Sequence, residues 1–250
     1  MSSTQTETPA SVLKENEKRN NTESVIAAEG LKFAQIPTFE NPLQKRQWQL
    51  EHMAGAFRVF ARKGYTEATS GHISYHFGML KASDMVHVDE LGNVIGGNRA
   101  AVNVAGFMIH SAIHKARPDV HAACHTHSVY GKAWSTCGKP NDIINQDACS
   151  FWKKHVVYRN FGGMVLEKEE GERIAEAEAL WTRWQPYYTL FERACQVQLL
   201  VESTGLEKVI IGDEEAEYTQ KAAIDPEALY TDFQPDFSYE VFKSGGKLLL

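Results

Sequence analysis

The chain has 250 residues and a formal net charge of −6 at pH 7, from 26 basic and 32 acidic side chains. It contains no run of basic residues for nucleic acid and no apolar stretch of the roughly 18 residues that a membrane span requires. It also lacks an apolar signal segment, and its four cysteines have neither C-x-x-C spacing nor the density of a disulfide framework. We therefore expect a soluble, cytoplasmic protein with reduced thiols.

The first 40 residues are polar, without a sustained apolar period, so we expect residues 1–40 to be disordered. The globular domain is predicted to cover residues 41–204. It begins with an amphipathic helix from Leu43 to Lys63, which Gly64 ends. The apolar segments 85–89 and 94–95, on either side of a Gly-Asn turn, then predict a β-hairpin.

Short strand and helix patterns alternate through the rest of this domain, which favours an α/β fold. Helices are predicted at 102–115, 129–136, 169–184 and 186–202, and strands at 120–127 and 156–158. Residues 205–250 follow as an acidic tail with Asp-Pro and Gln-Pro turns. We expect this tail to be extended and able to reach a neighbouring subunit.

A His-x-His pair lies at the end of the predicted strand 120–127. Because strand side chains alternate with a period of two, His125 and His127 are expected to share one face. Two imidazoles so placed can bind one divalent metal ion, and a catalytic zinc usually takes a third protein ligand. His155 or His72 could supply that ligand, although histidine at the start of a strand is more often structural.

Several blocks of the chain resemble the class II aldolase and adducin family, most closely its fungal and adducin-like branch. These blocks are Gly71-His72-Ile73-Ser74, the segment 84–94, and the run from His110 through Arg117-Pro118-Asp119-Val120 to His125-Thr126-His127-Ser128. The resemblance covers residues 43–202. It implies a three-layer α/β/α domain with a mainly antiparallel central sheet, usually assembled as a homotetramer.

The resemblance also implies a metal site and a substrate site. In catalytic members of the family three histidines hold zinc or a related divalent metal such as iron, and His125 and His127 match the first two. The metal polarises a ketone during lyase chemistry. The turn with Gly71, His72 and Ser74 matches a substrate-binding loop, and a plain tight turn is the alternative.

The chain departs from the catalytic members of this family at several positions. The family's general acid/base Glu falls on Gly106, which has no side chain to titrate. The serines that bind substrate phosphate fall on Val104 and Ala105, so we expect a non-phosphorylated substrate. The third metal histidine of the family, in an Asn-His-Gly turn before the last helix, has no counterpart.

Two segments of the family pattern are absent, one after Ser74 and one before the helix 186–202. We expect a central sheet reduced by the missing strands; altered splicing or an imperfect gene prediction is the other explanation. The resemblance implies a metal-dependent lyase for a small oxygenated carbonyl compound, in fungal specialised metabolism. A non-catalytic, adducin-like interaction module and an iron-dependent decarboxylating oxygenase are the alternatives.

Overall fold

The computed structural model describes residues 34–66, 76–159, 168–179 and 188–250, in which helices predominate. The α-helices are α1 (Pro42–Arg62), α2 (Val104–Ala116), α3 (Val129–Ser135), α4 (Gln146–Cys149), α5 (Lys168–Ala179), α6 (Tyr188–Thr204), α7 (Asp213–Ala223) and α8 (Pro226–Lys243). Short 3-10 helices cover Phe77–Met79, Ala82–Asp84 and Lys247–Leu249. No helix in the described ranges is long and apolar enough to cross a lipid bilayer.

The predicted β-hairpin is confirmed as an antiparallel pair of strands, β1 (Val86–Val88) and β2 (Val94–Gly97). Its turn is held by Asp89, whose carboxylate accepts the N–H groups of Leu91 at 2.9 Å and Asn93 at 2.8 Å. The Asn93 side chain donates to the same carboxylate, and these hydrogen bonds lower the pKa of Asp89. Gly92 completes the turn with φ +85°, a conformation that favours glycine.

The strand predictions at 120–127 and 156–158 are wrong, because the structure describes both segments as neither helix nor strand. A strand is defined by hydrogen bonds to a neighbour, and the sheet of the described residues consists of β1 and β2. The described part of the chain is thus a helix-rich α/β fold with a small antiparallel sheet.

The prediction of an extended C-terminal tail is also wrong, because α7 and α8 lie between residues 213 and 243. The Asp225-Pro226 pair begins α8 instead of making a turn. The Asp225 carboxylate accepts the N–H groups of Glu227 at 2.8 Å and Ala228 at 2.9 Å, while Pro226 occupies the first helical turn.

Helix α8 packs along α1 through a charged contact and an aromatic contact. Arg62 of α1 forms ion pairs with Asp236 at 2.5 Å and Glu240 at 2.7 Å, and Glu240 is buried. The ring of Phe237 stacks on His52, with ring centroids 4.3 Å apart. The C-terminal residues are therefore part of the folded body.

The helix predictions are confirmed to within a few residues for α1, α2, α3 and α6. Helix α5 confirms the first part of the prediction at 169–184, and residues 180–184 lie outside the described ranges. Helix α2 packs on α5 through Ala112, Ile113 and Ala175. Helix α3 packs on α6, which brings α6 against the segment that carries the two histidines.

Candidate active site

His125 and His127 lie in the segment that joins α2 to α3. Their ring centroids are 4.9 Å apart and their planes are inclined by 39°. Both side chains are partly buried. The two imidazoles are therefore close together, as the spacing predicts, in a segment that is neither helix nor strand.

Helix α6 contacts the backbone on both sides of His127. The hydroxyl of Tyr188 donates a hydrogen bond to the carbonyl of Thr126 at 3.1 Å. The carboxylate of Glu192 accepts the N–H groups of Tyr130 at 2.8 Å and Gly131 at 2.7 Å. Since the first N–H groups of a helix have no partner within it, Glu192 satisfies two donors at the start of α3.

Of these two α6 side chains, Glu192 is buried, with 6% of its surface exposed, and Tyr188 is partly buried. Burial raises the pKa of the Tyr188 phenol, which keeps it protonated as a hydrogen-bond donor. Sequence reasoning did not identify either residue as part of the site. The sequence does carry a signal for Glu192, which lies three residues before Cys195. Residues at this spacing share one face of a helix, and Cys195 is buried, so the Glu192 carboxylate lies on the packed face of α6.

The first turn of α2 contains Val104, Ala105 and Gly106, the positions that the family resemblance assigns to the phosphate-binding and acid/base groups. Gly106 is buried, and its N–H donates to the side chain of Asn103, the N-cap of α2, at 3.1 Å. Val104 and Ala105 precede it and offer no hydroxyl. The backbone N–H at this position therefore takes part in capping the helix, and glycine has no side chain that could donate or accept a proton.

His155 uses both ring nitrogens in hydrogen bonds. Its Nε2 accepts the N–H of Asn141 at 3.0 Å, and its Nδ1 lies 2.8 Å from the carbonyl oxygen of Phe151. In this arrangement it has no nitrogen left for a metal ion. The other predicted binding residues, Gly71, His72 and Ser74, lie outside the described residues.

The donor set of the candidate metal site is thus the histidine pair. In the described ranges no group of three or more His, Cys, Asp or Glu side chains is arranged to bind a metal ion. Burial raises the pKa of the neighbouring Cys124 thiol to about 12. Two imidazoles suit two positions of a zinc or iron centre, and a complete catalytic centre takes further ligands.

The chain is similar in sequence and in fold to known proteins, as a family model, two sequence relatives and a solved structure show. The family model for the class II aldolase and adducin N-terminal domain matches residues 51–183. The meiotically up-regulated gene 14 protein of Schizosaccharomyces pombe is 37% identical, over 87% of this chain and 98% of that protein. The decarboxylase NovR of Streptomyces niveus is 32% identical, over 69% of this chain and 77% of its own length.

The fold matches a solved aldolase structure. The L-fuculose 1-phosphate aldolase from Glaciozyma antarctica PI12 superposes with a TM-score of 0.73 at 30% identity, over 86% of this chain and 96% of the aldolase. This likeness agrees with the class II aldolase type of α/β fold that the resemblance implies.

The alignment with the fission yeast protein also bears on the absent segments. It runs over 252 positions, yet the matched 87% of this chain amounts to about 218 residues. About 35 positions of the relative therefore face gaps in this chain, as expected if internal segments are missing. With the matched domain, the identity and the superposition in agreement, the chain belongs to the class II aldolase and adducin N-terminal domain family.

Proposed function

We propose that this protein is a metal-dependent, lyase-type enzyme that acts on a small, non-phosphorylated, oxygenated carbonyl compound. The observation that supports this most is the contact between His125 and His127, with ring centroids 4.9 Å apart. A divalent metal ion bound there would polarise a carbonyl oxygen of the substrate. Zinc is the first choice for two imidazoles, and iron is the alternative.

The substrate class follows from the start of α2. Val104 is exposed and Ala105 partly exposed, and neither provides the hydroxyl hydrogen bonds that would hold a phosphate group. We infer that recognition instead depends on oxygens close to the reacting carbonyl. The fission yeast protein aligns over nearly its whole length, and its name specifies no substrate. The Streptomyces relative is named a decarboxylase.

The rest of the proposal concerns the assembly and the setting of the enzyme. We expect a homo-oligomer, a tetramer as in the family, in the cytoplasm. A metal bound by two histidines would have its remaining positions taken by water, by substrate oxygens or by a residue such as His72. We expect such a centre to bind its metal ion more weakly than a three-histidine centre does.

A second candidate is a non-catalytic interaction module with the same fold. It is favoured by Gly106, which places a helix-capping backbone where the family has its acid/base carboxylate. Proton transfer by a positioned side chain typically contributes a factor of about 10²–10⁴ to the rate of a reaction. An enzyme without that side chain is expected to be slower by a similar factor. The two candidates differ in whether metal binding at the pair is accompanied by turnover.

Metal analysis of the purified protein tests the metal-dependent proposal. We expect zinc or iron near one equivalent per chain after reconstitution in the wild type, and a strong loss in His125→Ala and His127→Ala. His121→Ala is the matched control, because His121 is exposed and only four residues from His125. Less than about a tenth of an equivalent in reconstituted wild type would contradict the metal-dependent proposal.

Turnover then separates the enzyme from the module. The wild type and His125→Ala would be assayed against a panel of non-phosphorylated α-hydroxy ketones and 2-keto acids. The enzyme proposal expects a reaction in the wild type that His125→Ala loses while keeping its circular dichroism spectrum. A metal-loaded wild type without turnover on the panel, in a defined oligomer, would favour the interaction module.

A further inference from the structure

We propose that Tyr188 and Glu192 of α6 are positioning residues for the His125–His127 pair. This inference rests on the proposed function in one respect, namely that the pair binds a metal ion. Neither residue needs to touch the metal or the substrate. Their role is to fix the backbone that carries the two imidazoles.

Glu192 acts on the C-terminal side of the pair. Its two carboxylate oxygens accept the N–H groups of Tyr130 and Gly131 at 2.8 and 2.7 Å, and the side chain is buried. Because α3 starts two residues after His127, these bonds fix where the extended segment ends and the helix begins. A neutral side chain of the same shape would retain one acceptor oxygen in place of two.

Gly131 makes this close approach possible. A Cβ atom at Gly131 would lie 2.8 Å from the Ser128 hydroxyl and 3.3 Å from the Glu192 carboxylate. The absence of a side chain thus lets the carboxylate reach the backbone of the first turn. Glycine is otherwise unfavourable in a helix by about 1 kcal/mol relative to alanine, so its presence fits a need for close contact.

Tyr188 acts between the two histidines. Its hydroxyl donates to the carbonyl of Thr126 at 3.1 Å and lies 3.4 Å from the Ser128 hydroxyl. A rotation of the Thr126 peptide would change the relative direction of the flanking side chains, so this hydrogen bond controls how the imidazoles face each other. The Tyr188 ring is itself held by Phe60 and Tyr65, with centroids 5.8 and 5.7 Å away.

The two contacts come from one face of one helix. Tyr188 and Glu192 are four residues apart, so their side chains lie one above the other on α6. Together they hold the backbone before and after His127. A displacement of α6 would therefore be transmitted to the histidine pair, and loss of either side chain would let the pair reorient.

The test compares Tyr188→Phe and Glu192→Gln with two matched controls, Tyr239→Phe and Glu214→Gln, whose wild-type side chains are exposed on α8 and α7. Co²⁺ is titrated into each full-length protein and followed by calorimetry. Substitutions that disturb the orientation of metal-binding histidines typically cost 10- to 100-fold in affinity, so we expect about tenfold or more in both test variants and less than twofold in the controls.

A second measurement does not need the metal. Imidazole ¹H–¹⁵N NMR spectra of the metal-free proteins report the ring environment of each histidine. We expect the signals of His125 and His127 to shift or broaden in both test variants, while that of the exposed His121 stays unchanged. A thermal unfolding scan identifies any variant that is not folded. If Glu192→Gln does not fold, the test rests on Tyr188→Phe, which removes a single oxygen atom.

The outcomes separate this inference from the proposed function. If wild type binds no Co²⁺ but the ring signals respond in Tyr188→Phe, the metal proposal fails and the positioning role stands. If wild type binds Co²⁺ and the test variants keep both its affinity and its ring signals, the positioning role is overturned.

Discussion

The hydroxyl of Tyr188 donates a hydrogen bond to the backbone carbonyl of Thr126, across 62 positions of the chain. Thr126 separates the two histidines that identify the candidate site. The contact therefore joins the helix α6 to the middle of the most informative motif in the sequence. Other contacts between residues that are distant in the sequence lead to four further predictions. These contacts lie between α1 and α8, between α2 and α5, and around the buried cysteines.

Arg62→Ala is expected to destabilise the protein by about 2 kcal/mol, below the roughly 3–5 kcal/mol of a fully buried pair. The substitution leaves the buried carboxylate of Glu240 without its 2.7 Å partner, although Arg62 itself is 27% exposed. Urea unfolding measures the change. The control is Lys221→Ala, which removes the exposed ion pair with Glu217 and should cost no more than about 0.5 kcal/mol. Equal losses in the two variants would contradict this assignment.

Gly171→Ala is expected to destabilise the protein although alanine is the better helix former. A Cβ atom at Gly171 would lie 2.8 Å from the carbonyl oxygen of Met108, a backbone atom of the packed helix α2. The overlap involves a backbone atom and should cost about 2–3 kcal/mol, against a gain of about 1 kcal/mol from helix propensity. Thermal unfolding checks the sign. Glu176→Ala, at an exposed position of α5, serves as the control and should change stability little.

One thiol per chain is expected to react rapidly with Ellman's reagent at pH 8. Cys137 is exposed, whereas burial raises the pKa of Cys124 to about 12 and that of Cys195 to about 11. Cys149 is buried and its pKa is raised as well. Cys137→Ser should abolish the fast phase, and all four thiols should react in guanidinium chloride. A second fast thiol in the native protein would be inconsistent with this packing.

Stability is expected to fall as the pH drops below about 6.5, in part through His52. Burial lowers the pKa of His52 in the folded protein from this ordinary value, and hydrogen bonding to the Trp48 carbonyl only partly offsets it. The unfolded chain therefore binds a proton at a higher pH than the folded one. The loss of stability begins near the unfolded pKa and is complete below the folded pKa.

His52→Phe should flatten this pH dependence, because phenylalanine keeps the stacking on Phe237 and removes the titrating ring. It also removes the buried Nε2 atom, which has no hydrogen-bond partner in the described structure. Unfolding free energies at pH 7.5 and 5.5 measure the effect, with His121→Ala as the exposed control. An unchanged pH dependence in His52→Phe would show that other groups cause it.

The helices could be predicted because their signals are local. The apolar positions of α1 and Gly64, which follows its C-cap with a positive φ, lie within one or two turns of the structure that they specify. The strand expected at 120–127 failed because a strand needs a neighbour from elsewhere in the chain. The C-terminal tail failed for a related reason: Asp225-Pro226 suits both a turn and a helix start, and packing of α8 on α1 favours the helix.

The sequence by itself determined the family and the closeness of the two histidines, because the motif is continuous and side chains along an extended backbone alternate regardless of what surrounds them. It also determined that Gly106 brings no acid/base group. Only the tertiary structure decided that His155 has both ring nitrogens occupied and that Tyr188 and Glu192 hold the pair. These contacts join residues from 4 to 62 positions apart. Hydrogen-bond capacity can be read from a residue type, but the partner that uses it is set by packing.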